Sequence, residues 1–256
     1  MAVVLGNTAL KTSRISLGTV KFGRNSNVKY PEAFELPDDA AIVDLLHCCM
    51  ENGINLLDTA PAYGSSEERI GKLLPGSRED WILCSKVGEN YDNHLSTYDY
   101  SADSVRSSIE RSLRRLNTDY LDILLIHSDG HDQQIIEQSD VVAVLQSLKA
   151  EGVVRNIGMS TKTIDGTRAA LSFSDVLMVT LNIEDQSHLE VVLEAQSKGC
   201  GLLLKKVLAS GHKSPEESLS FVLDKVEQAS AVVGTINPDH LLANVALAKG
   251  FSQKTG

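Results

Sequence analysis

The sequence predicts an α/β fold, a closed (β/α)8 TIM barrel of eight parallel strands with outer helices behind a short N-terminal hairpin. Three observations carry that expectation. Short apolar runs and amphipathic stretches alternate eight times without interruption, the pattern of strand-helix pairs in a parallel sheet. The runs are nearly continuous in apolar character, as strands covered on both faces are. At 256 residues the chain has the length of one such barrel, ~250 residues, so a single domain over 1–256 is expected.

Residues 1–14 hold Leu5-Gly6-Asn7-Thr8-Ala9-Leu10-Lys11; polar and apolar residues alternate around a Gly-Asn turn signal, which predicts a hairpin across the barrel bottom. Ile15 to Val20 is the first strand. Gly18 and Thr19 stand at its end, where a glycine lets a ligand approach the backbone. Arg24 to Pro37, polar with two prolines, is expected to loop over the upper rim. Asp38 or Asp39 caps a helix running to about Asn52, with Ile42, Leu45, Leu46 and Met50 at helical spacing and Gly53 as its stop.

The second unit is a strand over 53–58 and a helix from Ser66 to about Leu74. The third is a strand over 81–86, a long polar loop with Tyr91, His94, Tyr98 and Tyr100, and a helix from Ala102 to Asn117. Val105, Ile109, Leu113 and Leu116 form that helix's buried stripe, and its arginines a solvated face. The fourth strand runs over 120–127, followed by one helix over 135–151. The remaining strands are expected at 154–160, 176–182, 202–207 and 231–236, and the remaining helices at 164–173, 188–198, 215–228 and 239–249. Long connections follow the first and third strands only, so substrate contacts are expected from those two.

Three of these strands end on ionisable residues: Gly53-Ile54-Asn55-Leu56-Leu57-Asp58, Trp81-Ile82-Leu83-Cys84-Ser85-Lys86, and Tyr120 through His127. Neighbouring strands lie ~4.8 Å apart, so Asp58, Lys86 and His127 are expected to meet at one rim. Tyr63 lies on the loop that leaves Asp58. Singly, an Asp, Lys or His at a strand end is more often a loop anchor than a catalyst. Tyr91, Tyr98 and Tyr100 admit two readings, as the wall of an apolar pocket or as cover for the rim.

Composition narrows the partners. A formal charge of −10, with scattered Lys and Arg, argues against a nucleic-acid surface, and no apolar run reaches the ~20 residues that cross a bilayer. The N-terminus lacks the basic start and apolar centre of an export signal, so a cytoplasmic location is expected. Cys48, Cys49, Cys84 and Cys200 have no metal-ligand or redox spacing and are expected as reduced, buried thiols.

The stretch Gly53-Ile54-Asn55-Leu56-Leu57-Asp58-Thr59-Ala60-Pro61-Ala62-Tyr63-Gly64-Ser65-Ser66-Glu67 resembles the signature around the catalytic aspartate and tyrosine of the aldo-keto reductases. The resemblance continues through Ser85-Lys86-Val87-Gly88, residues 112–122 with His127, residues 151–160, and Gly234 to Asn244, in family order over nearly the whole chain. It implies a catalytic tetrad of Asp58, Tyr63, Lys86 and His127. It also implies an oxidoreductase that passes a hydride from a reduced nicotinamide to an aldehyde or ketone, with Tyr63 as proton donor. A free phenol has a pKa of ~10 and needs a neighbouring ammonium to become a competent acid.

The cofactor residues implied are Gly18, Thr19, Ser160, Thr161, Lys205, Gly234, Thr235 and Asn244, with no metal. Thr161 stands where the family commonly has an asparagine, and Met178 where it often has a glutamine. Lys205, in Leu204-Lys205-Lys206-Val207, replaces the usual tyrosine that stacks on the nicotinamide. It reads either as a rim lysine in solvent or as an ammonium near the cofactor diphosphate or a substrate oxygen. NADP(H) is implied by family habit and NAD(H) is the alternative, because Ile236 to Asn244 holds no Lys or Arg. The chain stops soon after the last helix, so an open cleft with relaxed specificity is expected, in a monomer or weak homo-oligomer. Two rival functions are a Schiff-base lyase using Lys86 and a cofactor-binding sensor with little turnover.

Overall fold

The computed structural model describes residues 2–28, 30, 32–209 and 213–252, without the side chains of the last two. β1 (Ala2–Val4) and β2 (Lys11–Ser13) pair antiparallel as the N-terminal hairpin. Then β3 (Ile15–Gly18), β4 (Leu56–Asp58), β5 (Ile82–Val87), β8 (Leu121–His127), β9 (Val154–Ser160), β10 (Val176–Thr180), β11 (Gly201–Lys205) and β12 (Ala229–Val233) close into a parallel barrel, β12 pairing with β3. The helices are α1 (Asp39–Glu51), α2 (Ser66–Leu73), α3 (Ala102–Leu116), α4 (Asp132–Gln138), α5 (Val141–Ala150), α6 (Ile164–Ala170), α7 (Leu189–Ser197), α8 (Pro215–Lys225) and α9 (Pro238–Ser252).

Strand periodicity sorts the core into two layers, because successive side chains point to opposite faces. Leu17, Leu57, Leu83, Leu124, Ile157, Leu177, Leu204 and Val233 face the helices, packing with Leu45, Ile70, Val105, Leu145 and Leu219. Leu56, Cys84, Leu125, Met178, Leu203 and Val232 point inward and fill the barrel. Leu5 and Leu10 of the hairpin join that inner cluster, and Asn7 N–H donates to Gly199 O over 2.7 Å, so the hairpin plugs the bottom. Each fully buried aliphatic side chain of this kind adds ~1.5–3 kcal/mol.

Local chemistry sets the element ends. The Asp38 carboxylate accepts from Ala41 N–H over 2.8 Å and starts α1, a cap of the preferred type. Gly53, at φ +75, reverses the chain out of that helix. The expected single helix over 135–151 is instead α4 and α5. Ser139 is extended (φ −123, ψ 165), and its hydroxyl donates to Ile135 O over 2.6 Å. A serine that satisfies the backbone in this way competes with helix continuation.

The polar loop expected after the third barrel strand is also different. It is a second antiparallel hairpin, β6 (Glu89–Asp92) with β7 (Leu95–Tyr98), in the register Glu89↔Tyr98 to Asp92↔Leu95. Its two-residue turn, Asn93-His94, has φ +48 and +64, the conformation that matches strand twist and that asparagine tolerates. The rim segment after β3 clasps it. The Arg24 guanidinium lies 3.6 Å from the centre of the Tyr91 ring, and Asn27 Nδ2 donates to His94 O over 2.7 Å.

Candidate active site

The same alternation that fills the barrel places the polar residues. Asp58, Lys86, His127, Ser160 and Lys205 are two residues beyond the inward-facing Leu56, Cys84, Leu125, Gly158 and Leu203, so they form the next inward layer at the C-terminal rim. Gly18 pairs with Asp58, Asp58 with Cys84, His127 with Ser160, and Thr180 with Lys205. This is the end of the barrel where βα loops build sites.

Lys86 is 1% exposed. Its ammonium donates to Asp58 Oδ1 over 2.5 Å and to Thr59 O over 2.8 Å. Burial works against the charge, but Asp58, and then Tyr63 and Cys84, outweigh it and hold Lys86 above the usual lysine range. Tyr63 ends the 3-10 turn Pro61–Tyr63, with the Lys86 Nζ 4.8 Å from its ring centre and the His127 ring edge-on at 6.3 Å. Burial pushes its hydroxyl above the ordinary phenol value, and the Lys86 charge opposes that shift. The four residues therefore converge.

Lys205 is half-buried at the end of β11. Its Nζ donates to Ser160 Oγ over 2.8 Å and to Thr161 O over 2.9 Å. It is not a lysine in solvent. Burial, with Lys206, Lys86 and Lys162 nearby, pushes its ammonium down to about 7. Met178 is buried in the barrel interior, and Thr161 turns its hydroxyl onto Thr167 over 2.7 Å.

The other residues implied for the cofactor lie to the side of β3 and β12. Thr19 is fixed by its own structure: its hydroxyl donates to Asp58 O over 2.9 Å and receives Ser66 Oγ over 2.8 Å. Gly18 and Gly234 lie side by side, and a Cβ on Gly234 would sit 2.4 Å from the Tyr30 hydroxyl. Thr235 Oγ1 accepts from Asn237 N–H over 3.1 Å. Asn244 is buried, and its Oδ1 has no hydrogen-bond partner among the described residues. Among the described residues no hydrogen bond links Thr235 or Asn244 to the four converging groups.

Three features were not identified from the sequence. Glu89 Oε2 lies 2.9 Å from His127 Nδ1, Tyr100 Oη donates to His127 O over 2.9 Å, and the Tyr30 hydroxyl reaches Gly234. The signal for Glu89 is its place directly after Gly88, at a turn out of a strand that ends in Lys86. The three tyrosines lie over the rim: Tyr91 bonds Ser26 over 2.8 Å, Tyr100 holds the His127 strand end, and Tyr98 is exposed, stacked on Tyr100 at 6.4 Å. Among the described residues no group of His, Cys, Asp and Glu is arranged for a metal ion, and no helix is long and apolar enough to cross a membrane. The cysteines are free thiols, three of them buried and Cys48 partly so.

Comparison with known proteins places the chain. A crystal structure of a Pseudomonas aeruginosa protein assigned to the aldo-keto reductases superposes with a TM-score of 0.89 at 47% identity, covering 97% of this chain and 94% of that one. An L-galactose dehydrogenase from Arabidopsis thaliana is 35% identical over 221 residues, 81% of this chain but 65% of that protein's length. The NADH-specific methylglyoxal reductase of Escherichia coli is 30% identical over 200 residues, 72% of this chain and 60% of the relative. The sequence model of the Aldo/keto reductase family matches residues 14–216, and with the barrel shared the chain belongs to the aldo-keto reductase family.

Proposed function

We propose that the protein reduces aldehyde or ketone carbonyls to alcohols with a reduced nicotinamide cofactor, and that Asp58, Tyr63, Lys86 and His127 do the proton chemistry. The observation that carries this reading is the buried Lys86 ammonium, paired with Asp58 and set 4.8 Å from the centre of the Tyr63 ring. Asp58 keeps the amine charged, and the charge favours proton release from Tyr63. As charge develops on the carbonyl oxygen, Tyr63 supplies the proton and His127 faces the same oxygen. General acid catalysis of this kind contributes a factor of ~100 to 10,000.

When bound, the cofactor supplies the hydride. The residues present fit such a group: Asn244 Oδ1 is buried with no hydrogen-bond partner among the described residues, and Ser160 is buried at the end of β9. Ser160, Thr161 and Lys205 would hold the nicotinamide end, Gly18 and Thr19 the middle, and Gly234, Thr235 and Asn244 the adenosine end.

NADP(H) is the first reading of the cofactor, carried from the family resemblance. NAD(H) is a second reading with its own support, because the first turn of α9 carries Asp239, whose charge opposes a 2′-phosphate, and the relative from Escherichia coli is NADH-specific by name. A Schiff base on Lys86 is disfavoured, since an ammonium held by Asp58 lacks the free electron pair that attack requires. The test is loss of reduced-nicotinamide absorbance with a panel of aldehydes and ketones, run separately with NADPH and NADH. Turnover of at least one carbonyl is expected, and none with either cofactor would overturn the reading.

A further inference from the structure

Beside His127 sits a carboxylate that the four-residue mechanism does not use. Glu89 opens the β6–β7 hairpin, turned there by Gly88 at φ +105. It is 8% exposed, with Oε2 2.9 Å from His127 Nδ1, and its Oε1 accepts from Ser96 Oγ over 2.6 Å. Arg24 Nη1 stands 3.7 Å behind it, itself fixed by bonds to Ser26 O, Ala62 O and Asn27 O. The backbone of His127 is held by the Tyr100 hydroxyl, which donates to the His127 carbonyl. The Nδ1 and the carboxylate are at ion-pair distance, and this buried ring nitrogen has no hydrogen-bond partner among the described residues, so Glu89 is the group that faces it.

An ionised carboxylate only accepts, so the ring nitrogen facing it must carry a hydrogen. A neutral His127 with its hydrogen on Nδ1 has a bare Nε2, which cannot donate to a carbonyl oxygen. A protonated ring donates from both nitrogens.

We propose that Glu89 is a positioning residue for the carbonyl reduction proposed above: it fixes the hydrogen on His127 Nδ1 and makes donation from Nε2 to the substrate oxygen depend on a protonated ring. The surrounding charges are arranged for such a balance. Burial lowers the His127 ring below the usual imidazole value, Glu89 opposes that, and Lys86 from β5 and Lys205 from β11 reinforce it. Burial raises Glu89, but His127, Ser96 and Arg24 outweigh it and hold the carboxyl at about 2. Tyr98 from β7 faces the same carboxylate, and Tyr63 closes the other side of the ring.

The test is 15N NMR titration of the whole protein, with the His127 signals assigned by their loss in His127→Asn. It is compared with the pH profile of kcat/KM for any carbonyl that is turned over. In the wild type the neutral ring is expected as the Nδ1–H form. In Glu89→Gln the Nδ1–H preference is expected to disappear and the titration midpoint to fall by about one pH unit or more. The alkaline limb of kcat/KM should move with it while KM for the cofactor stays unchanged. Glu89→Asp, which keeps the charge but retracts it, should fall between the two, and it decides the matter if the Gln variant does not fold. An unchanged tautomer and midpoint in these variants would overturn the proposal. The NMR arm needs no turnover, so failure of the proposed reaction and failure of this pairing give different results.

Discussion

Lys205 Nζ donates to Ser160 Oγ over 2.8 Å, so the end of β11 is fastened to the end of β9 across the intervening β10. The lysine thus occupies the inward rim position at the side of the site proposed for the nicotinamide, with its ammonium pushed down to about 7, first by burial and then by the neighbouring lysines.

That depression gives a stability prediction with a definite sign. An unfolded lysine titrates near ~10.4, so from about pH 7 to ~10 the unfolded chain holds one more proton than the folded one, and stability rises with pH across that window. Lys205→Met removes this dependence. Relative to wild type it should be most favourable near pH 6 and lose that advantage by pH 10, a change on the order of 2 kcal/mol for a half-buried group. Chemical denaturation at pH 6, 8 and 10 measures it, and a difference that stays constant across the three would contradict the assignment.

Asp58→Asn strands the Lys86 ammonium, 1% exposed, without its counter-charge. Breaking a buried pair from one side costs ~3–5 kcal/mol, whereas replacing both partners is far milder. Asp58→Asn should therefore melt well below wild type, and Asp58→Asn with Lys86→Met should recover most of the loss. Neither should recover turnover. Calorimetry and the carbonyl assay on the same preparations separate the structural from the chemical effect.

Asp239 puts a negative charge in the first turn of α9, where the family resemblance places the adenosine phosphate. Asp239→Lys should lower KM for NADPH about tenfold, the equivalent of ~1.4 kcal/mol, and leave KM for NADH within about twofold. Steady-state kinetics with both cofactors reads this directly. Equal effects on the two would remove the 2′-phosphate from this end of the site.

Much of the barrel was legible because one periodicity does two jobs. The apolar runs marked the strands, and their last inward positions, Asp58, Lys86 and His127, broke the apolar pattern at the rim where the candidate site lies. What escaped was held by tertiary contacts. Glu89 sits in a segment whose Asn93-His94 turn lacks the Asn-Gly signature, and its strands gain order from Arg24 and Asn27 on a different loop. The break at Ser139 depends on where one hydroxyl points, which spacing does not encode. Lys205 was read as a departure from the family, but its attachment to Ser160 follows from barrel register, a long-range property.

The most direct measurement is kcat for reduction of a turned-over carbonyl by Tyr63→Phe, with the cofactor dissociation constant measured alongside by fluorescence titration. The phenylalanine keeps the ring against His127 and Lys86 and removes only the hydroxyl. The account predicts at least a ~100-fold fall in kcat with cofactor affinity unchanged. A Tyr63→Phe enzyme that reduces the same carbonyl at the wild-type rate would contradict it.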